Sequence, residues 1–133
     1  MRVGVAVRTP WLDNYLAKEA KLQRLAKLDV DVAVAAVTLA ELRVGALLAS
    51  GRRRNQRGAF VNDIRATIPS LSYDSDVAEE HALLLVEVQQ QGRPRGAHDL
   101  IIAATARATR RTIVTSDTSA FDDLSGVDVR AHR

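Results

Sequence analysis

Cysteine is absent from these 133 residues, which excludes disulfides, thiolate catalysis and cysteine-based zinc or iron–sulfur sites. A reducing compartment is thereby permitted, although the absence does not demand one. Aromatic residues make up 4% of the chain. Trp11 and Phe60 stand alone, so no base-stacking platform for sequence-specific single-strand readout is visible. Long hydrophobic runs are missing too, since no uncharged stretch approaches the ~20 residues that cross a bilayer. The opening stretch MRVGVAVRTPWLDNYLAKEAK is apolar over too short a distance for a secretory signal and lacks a cleavage pattern. We therefore expect a soluble, cytoplasmic protein with no membrane contact. Repeats, low-complexity tracts and linkers are also lacking, so residues 1–133 are expected to form a single domain.

Lysine is scarce in a way that shapes the charge. Of the 19 basic residues, 16 are arginine, against 16 acids, for a net charge of +3. The arginine fork matches phosphate in a bidentate way, so nucleic acid is an admissible partner. A GC-rich coding sequence that favours arginine everywhere explains the same bias. What remains is ordinary: 47% hydrophobic and 26% charged residues fit a globular chain with a sizeable core.

The apolar pattern alternates between short strands and helices. Val3 to Val7 reads as a strand, and Leu12, Leu16, Ala20, Leu22, Leu25 and Leu28 recur at helical spacing after Pro10. Val32 to Val37 is a nearly continuous apolar run, as in a strand covered on both faces. Helices are expected over Leu39–Leu48 (closed by Ser50-Gly51), Arg52–Ala66, Asp74–Gln91 (ended by Gly92) and Asp99–Ala108. Further strands are expected over Ile68–Tyr73, Thr112–Thr115 and Val127–Val129, with a turn at Phe121-Asp122-Asp123. This order predicts an α/β fold with a mostly parallel central sheet of about five strands and helices on both faces. Ligands of such folds sit beyond the carboxyl ends of the strands.

Three acids stand near predicted strand ends: Glu41 in AAVTLAEL, Asp99 in GAHDLIIAATA and Asp117 in IVTSDTSAF. Each has a structural account. Thr38 and Glu41 have the spacing of a capping box. Asp99 suits the positive end of a helix, and Asp117 suits an N-cap or Asx-turn. Taken together, three carboxylates on one face repel one another unless a cation lies between them. Such a cluster suits Mg²⁺ or Mn²⁺, which can polarise a phosphodiester and activate water. Weaker candidates surround them. Arg93 and Arg95 can guide a phosphate, Thr115 and Ser116 can hold a water or phosphate, and His98 can act as a base or ligand. The run Arg52-Arg53-Arg54-Asn55-Gln56-Arg57 fits RNA contact or a solvated helix face.

The stretches AVAAVTLAELRVGALLAS, GRPRGAHDLIIAATA and IVTSDTSAFDDLSGVDV resemble the PIN-domain ribonucleases, specifically the VapC-type toxins of bacterial toxin–antitoxin modules. The resemblance covers about residues 31 to 129, in the family's order. It implies a Mg²⁺- or Mn²⁺-dependent ribonuclease with Glu41, Asp99 and Asp117 as catalytic metal ligands, a homodimer, RNA as substrate and a cognate antitoxin. The N-terminus departs from that pattern. Members open with a strand running into Asp-Thr or Asp-Ser, and here Arg8-Thr9 stands at that place. A permanent cation among carboxylates pairs with them and competes with metal. The resemblance therefore also admits a catalytically impaired homologue that serves as an antitoxin-binding and dimerisation module.

Overall fold

Runs of β-branched and small apolar residues are short in this chain, and so are its strands. The computed structural model describes residues 3–4, 32–115 and 117–131. In chain order these form β1 (Val3–Gly4), β2 (Val34–Ala35), helix α1 (Ala36–Leu48), α2 (Gly51–Thr67), β3 (Ser70–Leu71), α3 (Ser75–Gln91), α4 (Ala97–Thr109), β4 (Thr112–Thr115), a 3₁₀ turn (Thr118–Phe121) and β5 (Val129–Ala131). The expected helix spanning Leu12 to Leu28 and the continuation of the first strand to Val7 lie outside the described residues.

All strand pairings are parallel, as an α/β reading requires. Val3 pairs with Thr112 and Ile113 with Val129, giving one sheet in the order β1-β4-β5. Val34 pairs with Ser70 in a second, two-stranded sheet. The expectation of one central sheet of about five strands is thus replaced, among the described residues, by five short strands in two sheets. The run Val32–Val37 accounts for part of the difference. Its last residues, Ala36 and Val37, open α1, so only Val34-Ala35 remains as strand. Alanine is the best helix former, and the AELRVGALL that follows carries the helix on.

Helix ends follow local chemistry. The Asp74 carboxylate accepts a 2.9 Å bond from the Val77 N–H and caps α3. Gly92, at φ +66°, closes that helix in the left-handed conformation that glycine adopts without strain. The Thr38–Glu41 spacing, by contrast, is not a capping box. The N-cap of α1 is Ala35, and Thr38 lies inside the helix, fully buried.

Two apolar clusters hold the elements. The larger joins Val77, Leu84, Leu100, Ile102, Ala103, Ile113 and Phe121 from α3, α4, β4 and the 3₁₀ turn. The smaller joins Val32, Val34, Leu42, Phe60, Val61, Ile64 and Ile68 around α1 and α2. Helix α4 is buried from Asp99 to Ala106 except at Ile101, and its alanines let neighbours approach closely. The buried Thr105 hydroxyl donates to the Ile101 carbonyl at 2.7 Å, which satisfies it within the helix. No helix among the described residues is long and apolar enough to cross a membrane.

Candidate active site

The N-terminus of α4 collects the first two acids. Asp99 lies in the first turn of the helix and keeps only 7% of its surface exposed. The aligned peptide dipoles favour its ionised form there. Gly96, the N-cap residue, leaves the space that this carboxylate fills, since a Cβ at position 96 would stand 2.8 Å from Asp99 Oδ2. A side chain at 96 would force the carboxylate to move. Glu41 reaches the same place from α1, and its Oε1 lies 3.3 Å from His98 Nδ1. With the capping box ruled out, Glu41 is turned toward α4 rather than back onto its own helix start.

Asp117 approaches along a different route. Strand β4 ends at the buried Thr115, whose Oγ1 accepts a 3.1 Å bond from the Asp117 N–H. Asp117 then occupies the N-cap position of the 3₁₀ turn without capping it, and its Oδ1 instead accepts from Ser119 Oγ at 2.6 Å. Among the described residues, no group of three or more His, Asp or Glu side chains is close enough to hold a metal ion together. The structure thus brings Glu41, His98 and the start of α4 into contact, while Asp117 sits on the turn that packs against that helix. Ser116 and Arg8 lie outside the described residues.

The loop before α4 fastens these pieces. Gln91 Nε2 donates to the Asp123 carbonyl at 2.8 Å, and Arg93 Nη1 lies 3.4 Å from Asp123 Oδ2. Arg95 Nη1 donates to the Ala120 carbonyl at 3.3 Å, and its Nε and Nη2 are sealed from solvent. Both arginines expected to guide phosphate therefore also tie the 3₁₀ region to the start of α4. Ser119 and Gly96 escaped the sequence reading. Gly96 was legible in principle as a glycine three residues before a helix-start acid, but only tertiary geometry shows what its missing side chain makes room for.

The oxygen donors at α4 are of the hard-cation type: an acid in the first turn of the helix, a second acid from a facing helix and, among the described residues, no soft ligand. The space beside Gly96 is consistent with a carboxylate whose orientation matters. The oxygen donors of Glu41 and Asp99 are of the type that suits a hard cation, although among the described residues no third ligand closes the set.

Comparison with known proteins agrees in family and fold. Residues 11–127 match the PIN domain. The tRNA(fMet)-specific endonuclease VapC of Shigella flexneri is 34% identical over 94 residues, covering 71% of this chain and 70% of that protein. Ribonuclease VapC5 of Mycobacterium tuberculosis is 38% identical over 98 residues, covering 73% and 69%. The structure of VapBC-5 from Mycobacterium tuberculosis superposes with a TM-score of 0.73 at 29% identity, covering 98% of this chain and 99% of that one. DNA-bound VapBC from Salmonella typhimurium shares the fold with a TM-score of 0.81 at 21% identity, covering 98% of both chains. The chain belongs to the PIN domain family, among its VapC-type members.

Proposed function

We propose that this chain is an endoribonuclease toxin that hydrolyses RNA phosphodiester bonds with Mg²⁺ or Mn²⁺ and is held in check by a cognate antitoxin in the cytoplasm. The observation that carries the proposal is Asp99, buried in the first turn of α4 with its carboxylate in the space left by Gly96, while α1 brings Glu41 to His98 on the same turn. The names of the relatives, ribonucleases and a tRNA-specific endonuclease, support the reaction type. VapBC assemblies among the structural neighbours support the antitoxin.

Glu41, Asp99 and Asp117 would hold the cation, which when bound supplies charge for the developing phosphate oxyanion and lowers the pKa of water. The positive end of the helix favours negative charge at Asp99. Thr115 fixes the backbone of Asp117 and Ser119 orients its carboxylate. Arg93 and Arg95 raise the local positive potential toward which a phosphate moves. Ser116 and Thr115, neighbours of Asp117 in the chain, are the hydroxyl candidates for a phosphate or a water. Exposed Leu83, Leu85 and Val86 on α3 supply an apolar face for a second copy in a homodimer.

Arg8 modulates this reading. Arg8 stands in the sequence where the family has its first aspartate, a permanent cation in place of a ligand, so Arg8→Asp is expected to bind Mn²⁺ more tightly than the parent chain. Equal affinities in a calorimetric titration would remove Arg8 from the site. The function itself is tested by incubating the chain with structured RNA and Mn²⁺. Cleavage should vanish with EDTA and fall by at least about a hundredfold in Asp99→Asn. Cleavage that survives Asp99→Asn overturns the assignment. Absence of cleavage in both proteins, with tight antitoxin binding, favours the impaired binding module that Arg8 admits.

A further inference from the structure

Helices α1 and α2 pack through Leu42, Phe60, Val61 and Ile64 on one side. On the other side they leave an open cleft of about 340 Å³. Arg43, Leu47, Arg54, Asn55, Gly58 and Asn62 line it, and among the described residues no acid does. Asn62 Oδ1 accepts from Arg43 Nη2 at 2.6 Å, so the guanidinium is held across the cleft by one corner. Gly58 lies on the floor, where a Cβ would stand in ordinary van der Waals contact with Arg43 Nη1 at 3.9 Å. A glycine inside a helix costs ~1 kcal/mol relative to alanine, so this floor comes with a penalty. Exposed Arg52 and Arg53 stand on the adjoining first turn of α2.

Two arginine forks and two amides with no acid among them form a receptor for a polyanion. Among the described residues no aromatic lines the cleft, so its arginines and amides point to the phosphate backbone as the group recognised. Arg43 follows Glu41 by two residues on α1, which places them about 200° apart around the helix axis. The cleft and the carboxylates thus lie on different sides of one helix about 10 Å across. From this we infer that the α1–α2 cleft is a second RNA-binding site, which grips single-stranded backbone phosphates independently of the carboxylates and of any cation they hold. The choice of RNA over other polyanions rests on the nuclease reading above. The basic cleft itself does not.

The test is fluorescence anisotropy of the full chain with a labelled single-stranded RNA 12-mer in EDTA, over a range of salt concentrations. The parent chain should bind, with affinity falling as salt rises. Arg43→Gln/Arg54→Gln should weaken binding about tenfold and lower the slope of log affinity against log salt by about 1.4, from two lost phosphate contacts. Arg65→Gln/Arg110→Gln removes the same charge from exposed positions outside the cleft and should leave affinity within about twofold. Thermal unfolding of both variants at the parent temperature excludes misfolding. Equal weakening by the two double variants, or no binding in EDTA, overturns the cleft. So does displacement of the RNA by poly-L-glutamate at matched charge, which assigns the cleft to an acidic polypeptide. Cleft-dependent binding by a chain that cuts no RNA in Mn²⁺ supports the second site and counts against the nuclease reading alone.

Discussion

Helices α1 and α2 bury one face against a cluster of seven residues and turn arginine and asparagine outward. Helix α4 is enclosed on nearly every side by a cluster of twelve and presents one acid at its start. In the first region polarity is spread along an exposed groove, where solvent screens each charge. In the second it is concentrated on Asp99, whose orientation depends on packing, a helix end and one missing side chain. Precision is expected where burial leaves no room for adjustment. The groove, by contrast, should act by the sum of its charges.

The largest effect that can break this comparison is a core truncation. Ile102, fully buried in α4, is surrounded by other buried side chains, so Ile102→Ala should cost about 3–5 kcal/mol in urea denaturation. Ile64 belongs to the smaller cluster at the cleft, where neighbours can collapse into the void, and Ile64→Ala should cost about 2–3 kcal/mol. The readouts should also separate. Ile102→Ala should weaken Mn²⁺ binding and spare RNA binding in EDTA, with the reverse for Ile64→Ala. Matching losses in both assays would mean that the two regions are coupled throughout.

Gly96→Ala probes the second region with a single methyl. Its backbone (φ −60°, ψ 140°) suits alanine, so stability should hardly change. The new Cβ must displace the Asp99 carboxylate, and Mn²⁺ affinity should fall about tenfold, as with other residues that orient a ligand. Unchanged affinity in calorimetry would show that Asp99 Oδ2 has room to move.

The smallest effect concerns Glu87, which fastens α3 to the loop before β5. Hydrogen bonds from the Ser125 side chain and backbone hold its carboxyl below the ordinary value of 4.5, the backbone bond measuring 2.9 Å. A carboxyl whose pKa is lower in the folded than in the unfolded chain adds stability above its unfolded value. That contribution is lost as pH falls through the folded one. Glu87→Gln should therefore be slightly less stable than the parent at neutral pH and converge with it as pH falls below 4.5 and through the lowered folded pKa, by thermal unfolding. A constant gap across pH would assign the difference to packing.

Much of this molecule was legible residue by residue. The helix over Asp74–Gln91 was marked by an acid at its start and a glycine at its end, and strand Thr112–Thr115 was found at its observed bounds. Local rules suffice there because capping and apolar periodicity act within a few residues. The run Val32–Val37 was misread because an apolar stretch of that length suits a strand or a buried helix start equally, and packing chose between them. Thr38 and Glu41 have the spacing of a capping box, yet the helix begins at Ala36, two residues before Thr38. Once it does, that spacing carries no meaning.

Sequence alone pointed to the family, the parallel α/β order and three candidate acids, because these rest on residue types, local patterns and motif spacing. Tertiary structure decided that the strands divide into two sheets, that Glu41 faces His98 and that Gly96 makes room for Asp99. It also decided that Arg43 and Arg54 line one groove. Each of those facts depends on which side chains meet across elements far apart in the chain. The opening scarcity of lysine and aromatics was ambiguous for the same reason: an arginine excess acquires a ligand only where folding gathers its guanidinium groups without acids between them.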